Sequence, residues 1–215
     1  MRFASLGSGS KGNASLVATH TTCILIDCGF SAREAVKRLG ERGLAATDLN
    51  AILVTHEHGD HIRGVRNLAR KYDIPVYLSH GTAQSLDGEG LRTEIINTHR
   101  SFTIGNMTIE PVPVPHDARE PCQFVVCSAG LRLGVLSDLG HISTAVLRHY
   151  THCDGLMLES NYDRQMLAEG PYPYSLKQRV GGDWGHLSND QAAGLLEVAP
   201  STLYRKLQGW KKQQA

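Results

Sequence analysis

Residues 51 to 64 read AILVTHEHGDHIRG. The run Ala51 to Thr55 is too short for a helix and suits a strand buried on both faces. Directly behind it come His56, Glu57, His58, Asp60 and His61, all within six positions. His56 and His58 stand two apart at a strand end. Alternate positions point the same way, so both imidazoles are expected to reach one metal ion. Asp60 and His61 follow where the chain turns and would face a neighbouring ion, with Gly59 allowing a tight backbone turn beside them. Four such ligands, with more histidines downstream, exceed the needs of one ion. They suit two ions about 3.5–4 Å apart, an arrangement that can clamp a displacement at phosphorus. Glu57 is expected to face solvent or to support the loop from behind. The competing reading is a solvated histidine-rich loop, since eleven histidines in 215 residues permit chance clusters. The spacing H-x-H-x-D-H behind a buried strand weighs against it.

The rest of the chain sets bounds. Its 215 residues suggest one large domain, or one with a small appendage, and 41% hydrophobic residues can fill a substantial core. The formal net charge is +1, so no global field recruits nucleic acid or membrane, and any basic site must be local. No apolar run approaches the roughly 18 residues of a membrane span. The N-terminus MRFASLGSGSKGN lacks the apolar core of a signal peptide, so a cytoplasmic protein is expected. Cys23, Cys28, Cys122, Cys127 and Cys153 are scattered, with no C-x-x-C pair. That argues for buried free thiols and against a disulfide framework or a cysteine zinc site.

Short strands are expected at MRFASL, ASLVAT and TCILIDCG, then a helix over SAREAVKRLGERG capped by Ser31 and ended by Gly43. AILVT is a strand, VRNLARKY a helix and IPVYLS a strand. TEIINT, FTIGNMTIEPVPVP and CQFVVCSAGLRLGVLSD read as consecutive hairpins turning at Gly105-Asn106 and Gly130. TAVLRHYTH is helical and GLMLES a strand. This order suggests two sheets with helices outside. The end of the chain, SNDQAAGLLEVAPSTLYRKLQGWKKQQA, reads as helix, turn at Ala199-Pro200, helix, with four basic residues and no acid from Pro200 onward. It has the shape of a helix-turn-helix, or else of an amphipathic helix docked on the domain.

The loop H-x-H-x-D-H resembles that of the metallo-β-lactamase superfamily. The stretches SLGSGSKGN, LMLESNYD and YPYSLKQRVGGDWGHLSN further resemble its YycJ/WalJ (VicX) branch over about residues 1 to 195. The resemblance implies an α/β fold, a four-layer αβ/βα sandwich over residues 1–189; separately, AAGLLEVAPSTLYRKLQGW resembles the C-terminal DNA-binding helix-turn-helix of Fis type, so a helix-turn-helix-like tail is expected at 190–215. The superfamily resemblance implies two divalent ions, zinc or manganese with iron also suitable. One would be held by His56, His58, His116 and Asp138. The other would be held by Asp60, His61, Asp138 and a last histidine, with Asp138 bridging and Asp27 bracing the loop from behind. The implied activity is hydrolysis of phosphodiester bonds by a metal-bound hydroxide, of 5′-to-3′ DNA exonuclease type, with a nucleic-acid substrate and no membrane partner. Asp60 and His186 are the residues expected in catalysis, with His186 contacting the scissile phosphate or assisting the leaving oxygen. Ser8, Ser10, Lys11, Asn13, Ser160 and Asn161 are expected to hold substrate, while Lys177 and Arg179 are surface charges able to grip its backbone. His141 and His149 are bystanders.

One departure stands out. The family's last histidine, after one more strand, has no counterpart here, and the chain passes instead into the tail. Either His186 takes that place or the second ion is weakly held. Two alternatives stay open: a thioester or lactam hydrolase of the same fold, and a DNA-binding regulator with an impaired hydrolase domain.

Overall fold

The first sheet grows from the alternation of its strands. In β3 (Cys23–Ile26), Cys23 and Leu25 point to one side, Ile24 and Ile26 to the other, and all four are buried. β4 (Ala51–Leu53) repeats this, with Ile52 on one side and Ala51 and Leu53 on the other. Strands buried on both faces need cover on both faces, so helices lie against one side of this sheet and a second sheet against the other. The computed structural model describes residues 1–86 and 88–197, and it shows this layering.

Six strands form the first sheet in sequence order: β1 (Arg2–Gly7), β2 (Ala14–Ala18), β3, β4, β5 (Val76–Leu78) and β6 (Thr93–Ile95). The first three are antiparallel, and β3 to β6 run parallel. Their crossovers carry α1 (Ala32–Gly40), α2 (Gly59–Ile62), α3 (Val65–Tyr72) and α4 (His80–Ala83). Ser31 caps α1 by accepting from the Glu34 amide, and Ala35 and Leu39 pack with Leu68 of α3 under the sheet. In the second sheet β7 (Phe102–Ile104), β8 (Met107–Pro113), β9 (Cys122–Ser128) and β10 (Leu131–Leu136) form an antiparallel meander. The turns fall at Gly105-Asn106 and Ala129-Gly130, and both residues of the latter take positive φ. That is the backbone of a two-residue hairpin turn. After α5 (Thr144–Tyr150), β11 (Gly155–Leu158) joins β10 in parallel. Phe124, Met107, Ile109 and Val135 fill the space between the sheets, while Val125, Leu136 and Val146 fill that under α5. The result is the expected four-layer αβ/βα sandwich.

Three further helices follow: α6 (Arg164–Glu169), α7 (Tyr174–Gly181) and α8 (Asn189–Leu195). The short α2 and α4, and the pair α6–α7, have no signal in the sequence, because none carries a full apolar stripe. α6 and α7 bury no residue at all. α8 starts at Ser188, which closes a capping box with Gln191, and it buries Ala192 and Ala193. The expected turn at Ala199-Pro200 and the helix after it lie outside the described residues. All five cysteines are free thiols, three of them buried.

Arg132 grips Glu110 with two parallel bonds of 2.8 and 3.0 Å across the second sheet. The Arg132 guanidinium holds the Glu110 carboxyl below its ordinary range. A depressed carboxyl adds stability above its unfolded value, about 4.3, and loses it as pH falls through the folded one. The pair is partly exposed, so the effect is small. Thermal melts between pH 7 and pH 3 should show Glu110→Gln lower by at most about 2–4 °C at pH 7 and converging on wild type in acid. A constant gap across that range would refute the pairing.

Candidate metal centre

The histidine loop leaves the sheet earlier than the sequence suggests. β4 ends at Leu53, so His56 and His58 are not alternate residues of a strand. They converge as the chain leaves β4 and His58 becomes the N-cap of α2, which carries Asp60 and His61. His56 Nε2 lies 3.0 Å from His58 Nδ1, and His116 Nε2, from the loop after β8, lies 3.3 Å from the same atom.

Each of these imidazoles is tied at its outer nitrogen. The Asp27 carboxylate takes the His61 Nδ1–H at 2.8 Å and the Thr55 hydroxyl at 2.9 Å. That leaves the Thr55 oxygen to accept from His56 Nδ1 at 2.9 Å. His116 Nδ1 donates to the Gly185 carbonyl at 2.9 Å, and His58 Nε2 to the Asp117 carbonyl at 3.2 Å. The remaining nitrogen of every ring therefore turns inward. Such fixed tautomers are characteristic of metal-ligating histidines.

Asp138, at the carboxyl end of β10, completes the concentration of acceptors. It is buried, its Oδ2 lies 2.6 Å from His61 Nε2 and its Oδ1 3.1 Å from His186 Nδ1. Oδ2 has no other hydrogen-bond donor. Burial opposes charge on His61, but Asp27 and Asp138 outweigh it and push its pKa up to about 10. Burial likewise opposes charge on His186, and Asp138 and Glu159 push it up to about 10. His186 and His61 in turn hold the Asp138 carboxyl well below the usual range against the effect of burial. His56 and His116 are pushed down, chiefly by burial. Imidazoles that turn one nitrogen inward around a buried carboxylate form a donor set that fits divalent cations.

Three groups of ligand atoms each lie within 4.8 Å of one another: His56, His58, His116; His56, His61, Asp138; and Asp138, Glu159, His186. Asp60 stands at the edge of the second, 3.8 Å from His61 Nε2. Glu159 leaves the end of β11 beside Ser160 and Asn161. Here Oε2 meets His186 Nδ1 at 3.1 Å, and Oε1 accepts from the Leu139 and Leu187 amides. The clue was its place at the end of β11, beside the end of β10, since parallel strands gather site residues at their carboxyl ends. Thr55 and Asp117 gave no signal, one hidden in an apolar run and the other a plain loop acid.

The centre opens into a cleft of about 740 Å³. Ser8, Ser10, Ser160 and Asn161 line it, as does Arg179, whose Nε donates to Asp117 at 2.6 Å. Two expectations change. Lys11 is exposed and is not among the lining residues. Asn13 does line the cleft, but its amide is committed inward: Oδ1 accepts from the Gly9 amide, and Nδ2 contacts Asp60 Oδ2 at 3.1 Å and His61 Nε2 at 3.0 Å. It braces the loop, because the β1–β2 turn packs directly on α2. Ser160 Oγ donates to Asn189 at 2.6 Å. His141 bonds the Asp183 carbonyl and His149 approaches Glu110, both away from the centre.

Fold and donor set together define a metal-dependent hydrolase built on two facing sheets. Residues 22–204 match the family described as Beta-lactamase superfamily domain, and the chain belongs to that superfamily. It is 35% identical over 198 residues to the exodeoxyribonuclease YycJ of Bacillus anthracis, covering 90% of this chain and 75% of that protein. It is 34% identical over 199 residues to the exodeoxyribonuclease WalJ of Streptococcus pneumoniae, covering 89% and 74%. Among solved structures, YhfI from Bacillus subtilis shares the fold with a TM-score of 0.69 at 16% identity, covering 88% of this chain and 74% of that one. A diphosphatase from the PhnP family does so with 0.69 at 18%, covering 91% and 80%. No helix among the described residues is long and apolar enough to cross a membrane.

Proposed function

We propose that the chain is a cytoplasmic DNA exonuclease that removes nucleotides from a 5′ end with two zinc or manganese ions. The observation that carries this reading is the set of four imidazoles, each tied at its outer nitrogen, turning the other nitrogen toward a cleft they share with Asp138. The exodeoxyribonuclease relatives support the choice of substrate. His56, His58, His116, Asp60, His61 and Asp138 are the ligands, and iron also suits this donor set. His186, backed by Glu159, would stand in for the missing last histidine, supported by its grouping with Asp138 and Glu159. When bound, the ions supply Lewis acidity toward phosphoryl oxygens and activate water.

The protein does the rest. Asp27 and Thr55 hold His61 and His56 in their tautomers. His186, held between Asp138 and Glu159, would give a proton to the leaving oxygen. Arg179 carries its guanidinium at the cleft on a single partner, Asp117, and can transfer it to a substrate phosphate. Ser8, Ser10 and Asn161 lie along the path of the strand.

The test is digestion of 5′-labelled single-stranded DNA by protein loaded with zinc or manganese, beside a thioester assay. Mononucleotides should appear from the first time points. Arg179→Ala should raise KM roughly 10–100-fold through loss of one charge-assisted bond, with a smaller change in kcat. Thioester turnover without strand cleavage would overturn the nuclease reading, and an unchanged KM would remove Arg179 from it.

A further inference from the structure

A second cavity, about 920 Å³, opens between α6, α7 and the end of β11. It is continuous with the metal cleft, since Ser10, Ser160, Asn161, Leu176 and Val180 line both. Its chemistry is different. The metal cleft presents histidines, acids and Arg179, whereas no lysine or arginine lines the second cavity. Its walls are Tyr162, Met166, Tyr172 and Leu176, with Asn161 at the junction, and its one acid, Asp163, caps α6 by accepting from the Met166 amide. Met166 on α6 is 74% exposed and Leu176 on α7 39%, and Tyr172, in the segment joining these two helices, is 53% exposed; neither helix buries a residue. Tyr172 rests its ring against Gly170.

We infer that this cavity is a nucleobase subsite: it receives a base of the strand whose phosphate lies at the metal centre, stacked on Tyr172. The inference rests on the nuclease reading above. A strand running out of the metal cleft must present something to the adjoining space, and it carries two kinds of surface. Phosphates call for cations, and this cavity offers none. Bases offer apolar π-faces with polar edges, and here aromatic and thioether faces stand beside the Asn161 amide. The volume lies within the range of small-ligand sites, about 300–1,000 Å³. Stacking needs no particular base, so the subsite is tolerant of sequence.

The experiment compares two 5′-labelled single strands of equal length, one normal and one abasic at its three 5′-terminal positions, cut by metal-loaded protein. The readout is the ratio of kcat/KM for the normal over the abasic strand. Wild type should favour the normal strand by about tenfold or more, given about 1–3 kcal/mol per stacked base. Tyr172→Leu should collapse the ratio toward one, and Tyr172→Phe, which keeps the π-face, should restore it. A purely structural role for Tyr172 would lower both substrates together and leave the ratio in place, overturning the inference. An unmoved ratio with a change from dimer to monomer on Tyr172→Leu would also overturn it, assigning the cavity to a second copy of the chain. Cleavage of both strands by wild type at equal efficiency would overturn the subsite and leave the nuclease reading standing. Cleavage of neither would bring down the nuclease reading, and the subsite with it.

Discussion

Asp138→Asn should yield a folded protein that holds at most one metal ion per chain and hydrolyses DNA at least about 10³-fold more slowly. The substitution keeps the shape and removes the charge. Asp138 lies within 2.6 Å of His61 and 3.1 Å of His186, and with them it links the second and third ligand groups. An amide in its place turns an N–H toward one of those nitrogens and leaves the inward nitrogens without a counter-charge for a cation. Several kcal/mol of transition-state stabilisation depend on such charge, and about 4 kcal/mol is a thousandfold in rate. Elemental analysis with single-turnover cleavage checks both halves, and circular dichroism checks the fold. Wild-type metal content with near-wild-type cleavage would take Asp138 out of the centre.

The second large effect comes from a residue without polar side-chain chemistry. A Cβ on Gly29 would lie 1.7 Å from the carbonyl oxygen of Asp60 and 2.8 Å from the Asn13 nitrogen. Those atoms are backbone and cannot swing aside. The Asn13 amide bonds the Asp60 carbonyl at 2.7 Å, the Gly29 amide bonds Asn13, and the Cys28 amide bonds the His61 carbonyl at 2.8 Å. Three loops are thus knotted at one point. Gly29→Ala must push α2 outward by more than an ångström to reach a tolerable contact. The cost in stability should be about 1–3 kcal/mol, as for other overpacked sites. Cleavage should fall by about 10²-fold, because misplacement on that scale has that effect at a reacting centre. Gly40→Ala, which meets nothing within 4 Å, is the control and should melt close to wild type. Denaturant titrations and kcat measurements on the two variants decide the matter; equal behaviour would mean the knot is loose.

Both predictions bear on what could be read before the fold was known. The inner strands were legible because burial on both faces writes apolar runs and the hairpins turn at Gly-Asn and Ala-Gly pairs, but TEIINT, read with those hairpins, instead pairs in parallel with β5 at the edge of the first sheet. The loop at 56–61 was legible because its residue types are rare together. Its route was not: the strand stops at Leu53, and the imidazoles meet through the start of α2. Asn13 looked like part of a phosphate loop and proves to be a brace for Asp60 and His61, since only packing brings residues 47 apart into contact. Glu159 stood in plain view, yet nothing local pairs it with His186. The helices α6 and α7 left no trace, because a helix that buries nothing has no periodic stripe.

The sequence by itself determined the layers, the order of most strands, and the crowding of His56, His58, Asp60 and His61 into one loop, because those follow from near-neighbour patterns of polarity and turn chemistry. The tertiary structure alone decided the tautomers of the histidines, the meeting of Asp138 with His61 and His186, and the adjoining aromatic cavity. Each of these depends on distances between segments far apart in the chain, set by how sheets and loops pack and not by any local run of residues.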